Sequence, residues 1–163
     1  MCSLCGLCDT EHPAEHLELT FQCPDAVVAL QTVERARRVR DCDDLCVLDH
    51  SRFFVRALLP LRVIGTSGPY RIGIWVEVRQ ADFERIVELW DEADTSSVPA
   101  FEATLANDIP GLPCTSGLRT YLVLAGATDR PTLALKPAEH PLVAEQVRGI
   151  TPIRAREYTA MCG

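Results

Sequence analysis

Apolar positions along the chain change period several times, and each change predicts an element. From Pro24-Asp25 the spacing is helical. Asp25 stands as an N-cap, Val27, Leu30 and Val33 follow, and the pattern fades near Val39. Arg35, Arg37, Arg38 and Arg40 gather at that end, where cations complement the helix dipole. Residues 45–48 and 53–59 read as strands joined by the turn-like Asp49-His50-Ser51. Residues 65–69 form a loop, and the next strand alternates clearly. Ile72, Ile74, Val76 and Val78 share one face, and Gly73, Trp75 and Glu77 the other. Trp75 is therefore expected either beneath the next helix or exposed as an anchor. That helix spans residues 81–92, with Phe83, Ile86, Val87 and Trp90 on one stripe. Residues 95–99 break it, and residues 101–105 suit helix or strand equally. A loop with two prolines spans 109–113, two strands follow at 121–124 and 132–135, and short helices close the chain near 142–147 and 152–159.

No βαβ alternation repeats in this order, and no glycine-rich phosphate loop precedes a helix. The expectation is an α+β fold with a mostly antiparallel, twisted sheet flanked by helices. At 163 residues the chain suits a single domain, with residues 1–23 as a metal-binding, zinc-ribbon-like segment and 24–163 as the body.

Composition narrows the function classes. Hydrophobic residues make up 47% and charged residues 24%, so the body can bury a core without staples. The formal net charge of −7 disfavours a nucleic-acid partner and suits a basic protein partner. No apolar run approaches the ~20 residues that span a bilayer. The start Met-Cys-Ser-Leu-Cys has neither a basic region nor an apolar one, so no signal peptide is expected. The expected location is the cytoplasm, where thiols stay reduced.

Eight cysteines then become the main candidate chemistry. Cys2, Cys5 and Cys8 form two overlapping C-x2-C pairs, and His12 follows. Thiolate and imidazole together suit zinc, a borderline-soft ion that takes four tetrahedral ligands. Cys2-Cys5 is followed by Gly6, which accepts the left-handed conformation of a knuckle turn. Cys5-Cys8 is followed by Asp9, but has His12 four residues on. If Cys5, Cys8 and His12 are three ligands, Cys46 is the chosen fourth, because residues 44–47 start a strand that could lie under the ribbon. Cys23 and Cys42 are alternatives, as is a local site of Cys2, Cys5, Cys8 and His12, with His16 able to replace His12.

Other motifs carry less. The arginine run at 35–40 meets Asp41, Asp43 and Asp44 directly and reads as a solvated helix end. His140-Pro141 reads as a helix cap rather than a general base. Cys114-Thr115-Ser116 offers a nucleophile with no base placed beside it.

These residues together resemble an uncharacterised bacterial family, domain of unknown function 2199. Cys5, Cys8 and His12 are similar to its opening C-x2-C-G-x2-H, with Asp9 in place of the glycine. Pro24-Asp25, the phrase from Asp44 to Asp49, Phe53-Phe54-Val55-Arg56 and Gly73-Ile74-Trp75-Val76 also fit. So do Phe83-Glu84-Arg85, Ile109-Pro110-Gly111, Arg130-Pro131, His140-Pro141-Leu142 and the Gln-x2-Gly-Ile stretch at 146–150. The resemblance favours the Cys5-Cys8-His12 register and singles out Cys46 and His140. It implies no activity.

The functional expectation is a non-enzymatic, zinc-binding accessory protein of immunity type that grips a basic partner. The alternatives are a zinc hydrolase or modifying enzyme with an open metal position, using Glu11, Glu15 or His140 as base, and a redox-sensing thiol cluster.

Overall fold

The computed structural model describes residues 18–162. In chain order these form α1 (Asp25–Val28), α2 (Thr32–Arg38), β1 (Val39–Asp41), β2 (Leu45–Leu48), β3 (Arg52–Arg62), β4 (Pro69–Val78), α3 (Gln80–Glu88), β5 (Phe101–Leu105), β6 (Arg119–Val123), β7 (Thr132–Leu135), α4 (Pro141–Arg148) and α5 (Pro152–Ala160).

The long β3–β4 hairpin is the spine, paired from Phe53↔Val78 to Arg62↔Pro69. Its period of two divides the side chains between two cores. Phe53, Val55, Ala57, Leu59 and Leu61 face inward with Tyr70, Ile72, Ile74, Val76 and Val78. On the outer face Phe54 and Trp75 anchor a second, smaller cluster. The sheet runs β1 to β7 in sequence order, and an added β3–β7 pairing closes β3 to β7 into a five-stranded barrel. The fold is thus α+β and the strands pair antiparallel, apart from that one parallel closure at Leu58↔Thr132. Alternation in the sequence reports which face of a strand is buried; it does not report which edges meet, so barrel closure was not visible in it.

Both edges of the spine change partners along their length, and a side-chain amide fills each change. Leu58 N–H donates to Pro131 O at 2.8 Å. Two residues on, Pro60 has no N–H with which to continue the parallel ladder. Gln146 of α4 takes over that rung. Its Oε1 accepts from Leu135 N (2.8 Å), and its Nε2 donates to Leu133 O (3.0 Å) and Pro60 O (3.3 Å). Beyond it, Ile150 N donates to Arg62 O (2.8 Å) and Ile64 N to Ile150 O (2.9 Å). Gly149 has φ +85°, and a Cβ there would lie 2.9 Å from Arg62 O, so a side chain at this position would clash as well as strain the backbone.

On the β4 edge, β5 pairs only with Val76 and Glu77. At Trp75 the carboxamide of Asn107 steps in. Its Oδ1 accepts from Trp75 N (2.9 Å), while its Nδ2 donates to Cys23 O and to Asp25 Oδ1 (both 2.9 Å). The edge then passes to residues 19–21, with Gly73 N donating to Leu19 O (2.9 Å) and Phe21 N to Gly73 O (2.8 Å). Gly73 keeps this approach open, because a Cβ would lie 2.9 Å from Thr20 Oγ1.

Several elements differ from their sequence reading. The helix expected from Asp25 to Val39 is broken at Ala29–Gln31 into α1 and α2. Pro24, not Asp25, occupies the α1 N-cap. The Asp25 carboxylate serves instead as acceptor for Asn107 Nδ2 and for Asp108 N (2.7 Å). Residues 101–105 form a strand, because Ala103 and Leu105 fill the barrel interior on a period of two. The helix expected to Glu92 ends at Glu88.

Helices close the barrel's two ends. Phe83 of α3 meets Phe53 at 5.2 Å between ring centroids. At the opposite end, Tyr158 of α5 stacks on Tyr70 at 5.9 Å.

Candidate metal centre

Of the four ligands read from the sequence, Cys5, Cys8 and His12 lie outside the described residues, as do Cys2 and His16. Cys46 lies on β2, across from Phe54 of β3 and Asp41 of β1. It is 1% exposed and packs with Cys23, Val27, Leu48, Phe54, Trp75 and Ala106. Burial pushes its thiol up to about 12. The Cys23 thiol is also raised by burial, with Arg35 opposing the shift. Protonated thiols in such a setting behave as small hydrophobes; zinc requires the thiolate. Among the described residues, no three His, Cys, Asp or Glu side chains stand close enough to hold a metal ion.

The same cluster places Trp75. It lies 1% exposed in the outer core, under Cys23 and α1 rather than under the Phe83 helix, and its Nε1 donates to Phe21 O at 3.1 Å. Residues 21–27 therefore supply its cover, and neither of the two sequence expectations, burial beneath α3 or exposure as an anchor, holds.

The other end of the spine is built differently. The Tyr70 hydroxyl accepts from Leu19 N at 2.7 Å and shares a hydrogen bond with Thr159 Oγ1 at 3.1 Å. One turn on, Cys162 N donates to Thr159 O at 3.0 Å. Glu18 binds the Arg71 backbone N–H and its guanidinium. Burial raises the Tyr70 hydroxyl's pKa, Thr159 and Leu19 counter it, and the charges of Cys162 and Glu18 both add to the rise. Cys162 is half-buried. Beside this group, the Tyr158 hydroxyl donates to Glu145, whose other oxygen accepts from Arg154 Nε at 2.7 Å. Burial first, then Glu145, raises the Tyr158 pKa.

The remaining candidates have structural occupations. His140 caps α4: its Nδ1 accepts from Leu142 N at 3.0 Å, which leaves Nε2 as the donor to Pro113 O at 3.1 Å. Both ring nitrogens are thus engaged in tying α4 to the Pro113 loop. The exposed Cys114 is held near Asp108, which raises its pKa. The arginine run is neutralised locally, with Arg35 on Asp41 (3.0 Å) and Arg38 on Asp49 (2.7 Å). Asp44 pairs with Arg130 instead (2.7 Å), bridging the starts of β2 and β7. Behind that bridge Arg56 is 9% exposed. Its Nη1 donates to Asp43 O at 3.3 Å, and its Nε has no partner. A cleft of about 360 Å³ opens between Asp44, Leu58, Trp90, Leu124 and Arg130.

Sequence reasoning passed over Asn107, and it saw Gln146 only as part of a motif. The visible signal for Asn107 was a polar Asn-Asp pair directly after an apolar strand; for Gln146 it was a polar residue on the stripe between Leu142 and Ile150.

No curated protein and no solved structure gives a match. A family model does match, over residues 4–150, a span that holds Cys5, Cys8, His12 and Cys46 together with both amide-stitched edges and leaves Cys162 beyond it. On that match the chain belongs to an uncharacterised protein family conserved in bacteria, domain of unknown function 2199.

Proposed function

We propose that this protein is a zinc-binding accessory protein of the bacterial cytoplasm, without enzymatic activity, in which a structural metal ties the N-terminal segment to the barrel. Cys5, Cys8 and His12 supply three ligands, and a thiol of the body supplies the fourth, Cys46 in the arrangement the sequence favours. The observation that carries this reading is that residues 18–23 are already part of the body. They add an edge to β4 and cover Trp75. On this reading the C-x2-C-x3-H segment ahead of that anchor extends the seam as a clamp, a use that calls for a closed four-ligand site.

A non-enzymatic role is supported by the occupation of His140 as a helix cap and by Asp108 raising the Cys114 pKa, which favours the unreactive thiol. A basic protein partner is supported by the net charge of −7 and by the exposed run Asp91, Glu92 and Asp94 just past α3. Among the described residues no helix is long and apolar enough to cross a membrane.

Metal analysis of the purified full chain, with the absorption spectrum of a cobalt-substituted sample, tests this. One tetrahedral, thiolate-rich ion per chain is expected. An open, water-bearing site would favour the hydrolase reading, and metal released reversibly by mild oxidant would favour the redox sensor.

A further inference from the structure

We propose that the cleft at the start of β7 binds the carboxylate of a small organic acid, held between Arg56 and Arg130. The inference is independent of the zinc reading above and concerns a different region of the molecule.

A buried cation with an unused donor stands at this cleft. Arg56 lies on the outer face of β3, between Phe54 of the outer core and Leu58 of the cleft wall. It is 9% exposed, its Nη1 makes one long bond of 3.3 Å to Asp43 O, and its Nε has no partner among the described residues. An arginine in a protein stays protonated, and an unpaired N–H on a buried charge is costly. Burial, and after it the charge of Arg130, pushes the Arg56 pKa down, and Asp44 and Asp43 offset only part of that.

The neighbouring guanidinium is only partly used. Arg130 Nε donates to Asp44 Oδ1 at 2.7 Å, and its two Nη groups bond to nothing among the described residues. Asp44 O also accepts from Arg56 N at 2.8 Å, so the bridge and the buried arginine share one corner. The Nη edge of a guanidinium takes a carboxylate through two parallel hydrogen bonds.

Space is available beside that corner. The cleft of about 360 Å³ is lined by both members of the bridge, by the buried Thr95 and by apolar Leu58, Leu89, Trp90 and Leu124. Ligand pockets run from roughly 300 to 1,000 Å³, with apolar walls and a few convergent polar groups. This one suits a small molecule with an anionic head and an apolar body.

Charge decides between anions. Arg56 and Arg130 bring two positive charges and Asp44 one negative, so one monoanion completes the balance. Phosphate, close to a dianion at neutral pH, would exceed it and would face both Asp44 and the exposed Asp129 of the same lining. Asp43 is exposed as well, where solvent and salt screen it.

The test titrates the full chain by calorimetry with benzoate, its neutral isostere benzamide and inorganic phosphate. Arg130→Gln and Arg56→Met are compared with the wild type, with circular dichroism as the check on folding. Benzoate should saturate the wild type with a Kd below about 1 mM, and benzamide and phosphate should bind at least about 10-fold more weakly. Arg130→Gln should weaken benzoate at least about 10-fold, as the loss of a hydrogen bond to a charged group does. Arg56→Met exchanges a buried cation for an apolar side chain; it should fold and lose benzoate to the same degree. If it does not fold, Arg130→Gln decides. Benzoate that fails to saturate at millimolar concentration would overturn the proposal, as would wild-type affinity in Arg130→Gln or in a folded Arg56→Met. Equal binding of benzamide would overturn it in favour of a merely apolar pocket, and tighter binding of phosphate in favour of a phosphate site.

Discussion

The two ends of the β3–β4 spine use cysteine in opposite ways. At the Phe54 end, Cys23 and Cys46 are sealed among Trp75, Val27 and Leu48, and burial keeps both thiols protonated. At the Tyr70 end, the half-buried Cys162 packs against the main core just past α5, its N–H bonded to Thr159 O. Counting cysteines treats these residues as equals; burial separates a sealed packing pair from a half-buried thiol at a helix end. Desolvation is the term that decides, because a thiolate without a counter-charge is costly in an apolar cluster.

The largest expected effect tests the sealed end as a true core. Trp75→Ala removes its largest side chain and the Nε1 bond to Phe21, and should cost about 3–5 kcal/mol, read by denaturant unfolding. An effect below about 1 kcal/mol would mean that residues 19–23 do not cover that face. Next comes the stitch of the barrel. Gln146→Ala strips partners from Leu135 N, Leu133 O and Pro60 O, and should cost about 2–3 kcal/mol and speed amide exchange at Leu135. Exchange at Leu135 that stays slow would show that water replaces the carboxamide without loss.

A smaller effect separates the thiols directly. In metal-free protein Cys46→Ser buries a hydroxyl in the outer core and should cost about 1–2 kcal/mol, whereas Cys162→Ser should stay within about 0.5 kcal/mol. A thiol reagent should label the exposed Cys42 and Cys114 of the native protein promptly, and Cys23 and Cys46 only after unfolding. Prompt native labelling of Cys46 would remove the contrast. The smallest effect at neutral pH lies at the Tyr70 end. Burial and the bond to Glu145 hold the Tyr158 pKa above the ordinary value of about 10. The unfolded chain gives up that proton first, so this contribution is intact below about pH 10 and declines as pH rises beyond it. Tyr158→Phe should flatten the alkaline decline measured by urea unfolding; an unchanged profile would put the decline elsewhere.

How much was legible in advance follows from the same physics. The faces of β3 and β4 were readable, because Ile72, Ile74, Val76 and Val78 alternate with Gly73, Trp75 and Glu77. The α3 helix with Phe83 and Ile86 facing the core, though not its end or the exposed Val87, and the cap at His140 were readable for similar local reasons. Barrel closure was not, because it depends on Pro60 interrupting a ladder and on Gln146, far along the chain, replacing the lost rung. Of the four ligands proposed from the sequence, Cys5, Cys8 and His12 lie outside the described residues, and Cys46 is described. Its burial beneath Trp75, Val27 and Leu48 was not legible, because strand position in a sequence carries no measure of what lies above it.

The most direct test of the central claim, a structural metal that ties the N-terminal segment to the barrel, is amide hydrogen exchange of the full chain with and without zinc. Zinc should slow exchange at Leu19, which bonds to Tyr70, and at Phe21, which bonds to Gly73. Exchange at both residues that is the same with and without zinc would contradict it.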